Sequence, residues 1–518
     1  MLEKLEQLIE EEKWEEARKL ELEMEAYQEP SDRFSILNTM IYMQEGDFEA
    51  ALKCITVGLL LNPGNYELYY LLGNYYLPIN RNQAFLCYEQ ARAYCDDKEN
   101  QQVLEESMAF LREMEDFQTA PFVICRYDMS DDLFLNVLRI LQTADADSDL
   151  LIIRSDSVVP ANAIFWLRMG LYEKESVGAV GPLSNTSMNE QSLAVSFQSM
   201  EEYLQVAGSL QIPSGYAYEN KVYLEDSAVL IKRKALNQVG GFLQDYHSSI
   251  AQVADICIRL DWNDFECRLC TNSFVYAKVE HTVAEYQTAG WAEFTRNLSF
   301  NLFYYSDIRT ELIEKIQQET DDCFSVLEIG CGCGTTLSHI KWKYPNARVC
   351  GVELSKQAAA LGKQMADIIV GDIEALELPY GEQTFDYIIC GDVLEHLRDP
   401  ENVVSRLKKY LSASGKLIAC IPNLANITVI TPLLHGSFEY KDAGLLDRTH
   451  IHFFTKKSIE KMFLNAGYKI TEWIPQKGGE ATDLVSGDEA LINLIYQLPG
   501  IASQEELETY EYLVVAEG

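Results

Sequence analysis

The spacing of hydrophobic and polar positions changes twice along the chain. Up to about residue 115, apolar residues recur at helical spacing between charged ones, which predicts helices with one solvated face. From about residue 116, short apolar runs such as Leu150–Ile153 and Val177–Pro182 predict strands between helices. From about residue 301 the alternation becomes regular. The pattern predicts a multidomain α and α/β chain with domains over 1–115, 116–300 and 301–518.

The first segment has the residues of paired helices. Small residues at Gly73 and Ala84 let two helices approach, Tyr88 fills the space between them, and Pro63 ends a unit. Over about 41–93 this pattern resembles tetratricopeptide repeats, which are helical hairpins. The resemblance implies a protein partner on these helical-hairpin repeats. A helical cap that only covers the next domain is the alternative.

Three stretches of the second segment resemble family-2 glycosyltransferases of the GT-A type. They are Leu151–Pro160, Ala228–Phe242 and Asp255–Leu260. The resemblance implies an α/β domain that holds a sugar nucleotide through a divalent cation and activates the acceptor with a carboxylate base. Little chain precedes the first stretch, so we expect the nucleotide-binding half to be truncated.

The positions that should carry this chemistry are altered. Only Asp156 remains of the metal-binding acids, because Arg154 and Ser155 stand at the neighbouring positions. The expected acidic pair corresponds to Gln252 and Val253, and a valine cannot accept a proton. The sequence therefore predicts a degenerate, catalytically silent glycosyltransferase-like domain, which could still bind a glycan or pack against its neighbour.

The third segment has the pattern of a parallel sheet. Alternating strands and helices of this length predict a doubly wound sheet covered by helices on both faces. A helix over 307–320 should precede the first strand, and the last strand should run antiparallel beside Tyr468–Trp473. The predicted strands are Phe324–Ile329, Arg348–Val352, Phe385–Cys390, Gly415–Ile421 and Tyr510–Ala516.

Three glycines follow the first of these strands. Gly330, Gly332 and Gly334 lack a Cβ, so the backbone can turn sharply and a ligand can lie against it. Such a turn between a strand and a helix is a nucleotide-binding edge. Glu353, after the second strand, can accept hydrogen bonds from both hydroxyls of a ribose. These residues support nucleoside binding without choosing the cofactor.

The motifs over 370–373, 385–397 and 448–457 resemble those of class I S-adenosylmethionine-dependent methyltransferases. The resemblance covers 301–518 and implies a Rossmann-like domain with S-adenosyl-L-methionine as its cofactor. It places an acid near the adenine amino group and an apolar residue against the ring. The implied cofactor-binding residues are Glu328, Gly330, Gly332, Gly334, Glu353, Leu354, Asp372, Ile373 and Asp392.

Methyl transfer to a hydroxyl requires alignment of the reactants and removal of a proton. Imidazole titrates near neutral pH, and His396, His450 and His452 lie in the segments expected to face the acceptor. His396 and His450 are the candidate bases, and Asp392 is a further catalytic candidate at the mouth of the crevice. The stretch 427–447 is a candidate lid or acceptor wall. No metal ligand set is predicted.

The composition of the chain limits the classes of partner that it is expected to bind. A net charge of −38 opposes binding to the phosphate backbone of a nucleic acid. The sequence shows neither a signal peptide nor an apolar stretch long enough to span a bilayer, so we expect a cytoplasmic protein without membrane insertion. The 13 cysteines are scattered, as expected of reduced thiols.

These features predict an enzyme, an O-directed methyltransferase that acts on a small-molecule or glycan acceptor, most simply a sugar. The sugar is inferred only from the fused glycosyltransferase-like domain. Two alternatives remain open. A bifunctional chain would add a sugar and then methylate it, whereas a repeat-based scaffold would recruit glycan-modifying enzymes.

Overall fold

Two compact units make up the chain, Met1–Asn297 and Leu298–Gly518. The computed structural model describes residues 1–25, 27–128, 132–160, 162–187, 189–193, 195, 197–246, 248–278, 289–477 and 489–518. Within these ranges, no helix is both long and apolar enough to cross a lipid bilayer.

Helices form the first part of the N-terminal unit, as the pattern predicts. Their starts are fixed by capping side chains: Asn80, for example, accepts hydrogen bonds from the backbone N–H groups of Asn82 and Gln83. Consecutive helices approach closely, and a Cβ at Gly73 would lie 2.4 Å from the ring of Tyr88. The helices are α1 (Leu2–Glu10), α2 (Trp14–Glu25), α3 (Asp32–Glu45), α4 (Phe48–Leu61), α5 (Tyr66–Tyr76), α6 (Arg81–Tyr94) and α7 (Lys98–Arg112).

A mixed sheet with flanking helices follows in the same unit. Its elements are β1 (Phe122–Tyr127), α8 (Leu133–Thr143), β2 (Asp149–Arg154), β3 (Ser157–Val158), α9 (Ala163–Leu171), β4 (Val177–Ser184), α10 (Met200–Leu210), β5 (Tyr218–Lys221), β6 (Ala228–Ile231), α11 (Arg233–Gln238), α12 (Ser249–Trp262), β7 (Glu266–Ala277) and α13 (Ala289–Leu298).

The strands of this sheet run in the order β1-β2-β6-β4-β7-β3, with β5 also paired to β7. β1 is parallel to β2 and β4 is parallel to β7, whereas β6 is antiparallel to both of its neighbours. One hydrophobic core joins the sheet to the helices before it, since Tyr69 and Leu72 of α5 share it with Leu151 of β2 and Trp166 of α9. The predicted strands at Leu150–Ile153 and Val177–Pro182 are therefore confirmed as β2 and β4.

The C-terminal unit is built on a second sheet. Its elements are α14 (Leu302–Tyr305), α15 (Thr310–Ile313), β8 (Ser325–Ile329), α16 (Thr335–Lys343), β9 (Arg348–Glu353), α17 (Lys356–Gly362), β10 (Asp367–Val370), β11 (Phe385–Gly391), a 3₁₀ turn (Leu394–His396), α18 (Pro400–Leu407), a second 3₁₀ turn (Lys408–Tyr410), β12 (Leu411–Pro422), α19 (Ile427–Leu434), α20 (Lys456–Asn465), β13 (Lys469–Gln476), α21 (Glu489–Gln497), α22 (Gln504–Glu508) and β14 (Glu511–Glu517).

This second sheet is doubly wound, as predicted. Its strand order is β10-β9-β8-β11-β12-β14-β13, with the first five strands parallel and β14 antiparallel to both of its neighbours. Successive side chains of β8 enter different cores: Val326 packs with Leu337 of α16, and Leu327 packs with Val404 of α18. The winding reverses at β8, and ligands of such sheets bind beyond the carboxyl ends of the strands at that point.

The predicted helix over 307–320 is wrong. The structure has only the short helix α15 in this region. The backbone N–H of Gln317 donates to the hydroxyl of Tyr387 at 3.1 Å, outside any helical ladder. A tertiary hydrogen bond thus replaces the continuation of the helix, which the local pattern could not reveal.

Candidate active site

The glycine turn lies at the carboxyl end of β8. Gly330, Gly332 and Gly334 have φ values of +72°, +55° and +72°, in the left-handed region that favours glycine. A Cβ at Gly332 would lie 2.4 Å from the carbonyl oxygen of Tyr305, which also accepts a hydrogen bond from the N–H of Cys333 at 2.8 Å. The turn is therefore a close backbone approach that a larger residue would disrupt.

The carboxylate of Glu353 is held against this turn. Its Oε2 accepts a hydrogen bond from the N–H of Gly332 at 2.8 Å, and its Oε1 accepts one from the N–H of Ser355 at 2.7 Å. Glu353 is buried at the end of β9, while the next residue, Leu354, is exposed. Each carboxylate oxygen has a further lone pair, so ribose hydroxyls could still donate to it.

Asp372 and Ile373 follow β10 at the same edge of the sheet. Asp372 is exposed, and its Oδ1 accepts a hydrogen bond from the N–H of Glu374 at 2.9 Å. Ile373 is buried in the core beside the sheet. The structure thus brings Glu353, Asp372 and the glycine turn to one edge, with Ile373 packed beneath it.

Glu328 is a buried carboxyl group in β8, two residues before the glycine turn. Only 4% of its surface is exposed, and its Oε2 has no hydrogen-bond partner among the described residues. Burial raises the pKa of this carboxyl to about 8. The group would be stabilised in its ionised form by a cation bound above it.

Asp392 lies just past β11 in a left-handed conformation, with φ +50°. Its Oδ2 is paired with the guanidinium of Arg309, and its buried Oδ1 lacks a hydrogen-bond partner within the described part of the chain. Arg309 also contacts Glu311 at 2.5 Å and lies 3.9 Å from Glu511. Arg309 was not expected from the sequence, because it belongs to no motif and lies 83 residues from Asp392.

The side chains of His396 and His450 come together beside a third group, the carboxyl of Glu395. The two imidazole centroids are 4.8 Å apart, and His450 Nε2 lies 3.9 Å from Glu395 Oε1. The ring of His452 is directed elsewhere, with its Nε2 3.1 Å from the carbonyl oxygen of Arg398. Glu395 was not singled out from the sequence, although its place in the motif over 385–397 was a usable signal.

The electrostatic surroundings keep His450 uncharged. Burial lowers the pKa of its imidazole, and neighbouring His396 lowers it further. Its Nδ1 lies 3.3 Å from the carbonyl oxygen of Leu445, which can only accept a hydrogen bond. Nδ1 therefore carries the proton, and Nε2 retains a lone pair.

A cavity of about 480 Å³ opens beside this histidine. Its wall is formed by the aromatic rings of Tyr440 and Phe453, the aliphatic side chain of Ile451, the imidazole of His450 and the guanidinium of Arg448. We call it the acceptor cavity. The stretch over 427–447, predicted as a lid or wall, contributes Tyr440. The wall therefore combines apolar faces with the polar groups of Tyr440, Arg448 and His450.

The residues at the carboxyl edge fit the chemistry of S-adenosylmethionine. That molecule has a sulfonium, an ammonium and two ribose hydroxyls, and each is complemented by a carboxylate. Glu328, Glu353, Asp372 and Asp392 supply carboxyl groups at or next to this edge, and the left-handed backbone of the glycine turn makes the sharp bend between β8 and α16.

Comparisons with known proteins agree with this geometry. Residues 297–472 match a family described as a methyltransferase domain. Demethylmenaquinone methyltransferase of Oceanobacillus iheyensis is 29% identical over 178 residues, which cover 30% of this chain and 74% of that protein. The Listeria welshimeri protein of the same name is 24% identical over 222 residues, which cover 38% of this chain and 91% of that protein.

A solved structure of an S-adenosylmethionine-dependent methyltransferase from Archaeoglobus fulgidus aligns with 44% of this chain and 99% of its own, at 16% identity and a TM-score of 0.31. The family match falls on the glycine turn, on Glu353 and on the motif that contains His396. Residues 297–472 therefore form an S-adenosylmethionine-dependent methyltransferase domain.

Proposed function

We propose that the C-terminal unit methylates a hydroxyl oxygen of an acceptor held in the acceptor cavity. The observation that carries the proposal is the neutral imidazole of His450 in the cavity wall, with Nε2 free to accept a proton. A hydroxyl is a weak nucleophile until its proton has a place to go, so a base at this position favours oxygen as the atom that is methylated.

The chain's own residues then have separate tasks. S-adenosylmethionine, when bound, supplies a methyl carbon already activated by its positively charged sulfur. The acceptor oxygen forms the new bond to that carbon as the carbon–sulfur bond breaks with its electron pair going to sulfur. His450 takes the hydroxyl proton on Nε2. Glu353 and Asp372 position the nucleoside, and the glycine turn lets it lie close to the backbone.

The wall of the cavity supports an acceptor with one apolar face. The rings of Tyr440 and Phe453 can stack on the flat face of a sugar or of an aromatic ring, while Arg448 can bind a negatively charged group. We propose a sugar or glycan-related acceptor. A hydroxylated ring such as a quinol is the second candidate, because the named relatives are demethylmenaquinone methyltransferases.

For the N-terminal unit we propose a silent glycosyltransferase-like domain over 116–300, preceded by helical repeats over 1–115 that bind a protein partner. Arg154 supports the first part of this proposal. Its guanidinium is buried and donates to both carboxylate oxygens of Asp156, at 2.6 and 3.2 Å, with Asp226 3.9 Å away. A fixed cation thus already neutralises the acids that would hold a metal, and Val253 is buried as well.

The decisive experiment is a methyl-transfer assay with the full chain. Labelled S-adenosylmethionine is offered with sugar nucleotides, free glycans and reduced quinones, and the methylated atom is identified by mass spectrometry and NMR. Oxygen methylation of a sugar supports the proposal. Carbon methylation of a quinone ring would replace it with the chemistry of the named relatives.

Two variants test the base. His450→Gln should reduce turnover at least tenfold with S-adenosylmethionine affinity unchanged, because the proton loses its acceptor. His452→Gln is the matched control, since its ring contacts the carbonyl of Arg398 instead. Equal activity of the two variants would remove His450 from the mechanism.

A further inference from the structure

Three potential metal ligands meet around His450, which also lines the acceptor cavity. One ligand atom each from Glu395, His396 and His450 lies within 4.8 Å of the other two. We propose that these three side chains bind a divalent first-row transition-metal ion. We call the cluster the triad site. From the sequence, the two histidines were expected to act as bases and no metal ligand was expected here.

The two imidazoles are oriented as metal ligands are. His396 Nδ1 lies 3.2 Å from the carbonyl oxygen of Thr449, and His450 Nδ1 lies 3.3 Å from that of Leu445. Because a carbonyl oxygen only accepts, each Nδ1 carries a proton and each Nε2 keeps its lone pair. A backbone acceptor on the far nitrogen is the arrangement that fixes metal-binding histidines in proteins.

The carboxyl group of Glu395 supplies independent support. It is 1% exposed, and among the described residues neither of its oxygens has a hydrogen-bond partner. A buried carboxylate without a partner is strongly disfavoured, unless a cation lies beside it.

The backbone holds the ligands near the geometry that an ion needs. The carbonyl oxygen of Glu395 accepts hydrogen bonds from the N–H groups of Ile451 and His452, at 3.0 and 2.9 Å, so the two ligand-bearing segments are tied together. Metal bonds of roughly 2.1 Å place tetrahedral ligand atoms about 3.4 Å apart. His450 Nε2 and Glu395 Oε1 are 3.9 Å apart, so a small side-chain rotation would close the site.

A second cluster of potential ligands lacks these properties. Asp392, Cys420 and Glu511 also lie close together. Arg309 already places a guanidinium against Asp392 and 3.9 Å from Glu511, so a cation is built into that group. The contrast singles out the triad site, where the carboxylate has no such partner within the described ranges.

The donor set indicates the kind of ion. Two imidazole nitrogens and one carboxylate oxygen suit Zn²⁺, Fe²⁺ or Mn²⁺, whereas Mg²⁺ and Ca²⁺ prefer oxygen alone. Three protein ligands leave a coordination position open, and one of the three, His450, also lines the acceptor cavity. If the proposed function holds, on which this step rests, the ion binds the acceptor hydroxyl and lowers its pKa. Because the bound ion occupies the lone pair of His450 Nε2, the hydroxyl then loses its proton to water instead of to His450, and the oxygen attacks the methyl carbon as the carbon–sulfur bond breaks.

Metal binding is tested directly on the full chain, stripped with a chelator and titrated with Zn²⁺ or Mn²⁺ in a calorimeter. Co²⁺ absorption identifies the ligands, because nitrogen and oxygen donors lack the intense sulfur bands that the chain's thiols would give. One equivalent of nitrogen- and oxygen-bound ion is expected. Absence of binding, or a sulfur-ligated ion only, would overturn the proposal.

Conservative substitutions of the proposed ligands test where the ion binds. Glu395→Gln and His396→Gln should each weaken binding at least tenfold, while His452→Gln should bind as the parent does. Circular dichroism verifies that each variant is folded, and His396, being partly exposed, is the safer of the two. Undiminished binding in both folded triad variants contradicts the site.

The methyl-transfer assay is run separately, with and without the ion. Metal binding without methyl transfer to any acceptor contradicts the proposed function but leaves the triad site intact. Methyl transfer that is fully retained after metal removal contradicts the role of the ion and leaves the proposed function intact. The two failures are therefore distinguishable.

Discussion

The guanidinium of Arg309 is paired with the carboxylate of Asp392 at the carboxyl edge of the methyltransferase sheet. Arg309 precedes α15, and Asp392 follows β11. The ion pair therefore connects the segment that precedes β8 to the carboxyl end of β11. Burial alone would lower the pKa of Arg309, but Asp392 and Glu311 raise it above its ordinary value. One permanently charged group thus compensates several acids at this edge.

Replacing this arginine should destabilise the C-terminal unit. Arg309→Gln leaves Asp392, Glu311 and Glu511 without their common cation, and we expect a loss of about 2 kcal/mol, between the values for exposed and buried pairs. The free energy of unfolding is measured by urea denaturation. The control is Lys477→Gln, whose pair with Glu508 is exposed on the lysine side, and which should cost at most about 0.5 kcal/mol. Equal losses would show that the Arg309 pair has no special role.

A Cβ at Gly332 should damage the cofactor turn. Gly332→Ala combines a left-handed backbone, about 1–2 kcal/mol for an L residue, with a Cβ 2.4 Å from the carbonyl oxygen of Tyr305. We expect S-adenosylmethionine affinity to fall at least tenfold by calorimetry. Gly436→Ala shares the left-handed backbone but meets nothing within 4 Å, so it should lose stability only. Unchanged affinity in Gly332→Ala would mean that the cofactor lies away from the turn.

The regular part of the fold was predictable because its signal is local. The strand β8 (Ser325–Ile329) is followed by glycines, and such strand-and-turn patterns indicated the parallel sheet, its edge and the antiparallel last strand. The helix expected over 307–320 failed because a distant side chain, Tyr387, takes the N–H of Gln317. Local periodicity contains no information about such a partner.

The candidate site was predictable only where its groups lie in motifs. His396 and His450 were selected as titratable residues near the predicted edge, and the fold brings their rings together. Arg309 and the isolation of the Glu395 carboxyl could not be inferred, because both depend on packing between segments far apart in sequence. Whether a charge is compensated and whether a single group is buried both depend on the tertiary structure.

Glu353 should be essential for nucleoside binding. Glu353→Gln keeps the shape of the side chain but replaces one acceptor oxygen with a donor NH₂, so ribose hydroxyls and the N–H of Gly332 lose a partner. We expect at least tenfold weaker binding of both S-adenosylmethionine and S-adenosylhomocysteine by calorimetry. Asp367→Asn is the control, because Asp367 begins β10 and so lies at the opposite edge of the parallel strands. Full affinity in Glu353→Gln would mean that the ribose is bound elsewhere.

The buried carboxyl of Glu328 should make stability depend on pH. Its pKa is about 8 in the folded protein, against an ordinary value of 4.5, so the folded state holds a proton that the unfolded state releases between these values. The stabilising contribution is complete below about pH 4.5 and is lost as pH rises towards 8, with a slope of up to about 1.4 kcal/mol per pH unit.

Glu328→Gln removes this ionisation while retaining the shape of the side chain. Its free energy of unfolding, measured without cofactor, should therefore exceed that of the parent by an amount that grows with pH from about 5 and levels off above about 8. Glu319→Gln removes one exposed charge and serves as the control for loss of charge. If the parent and Glu328→Gln curves stay parallel across this range, the carboxyl is not held protonated in the folded protein.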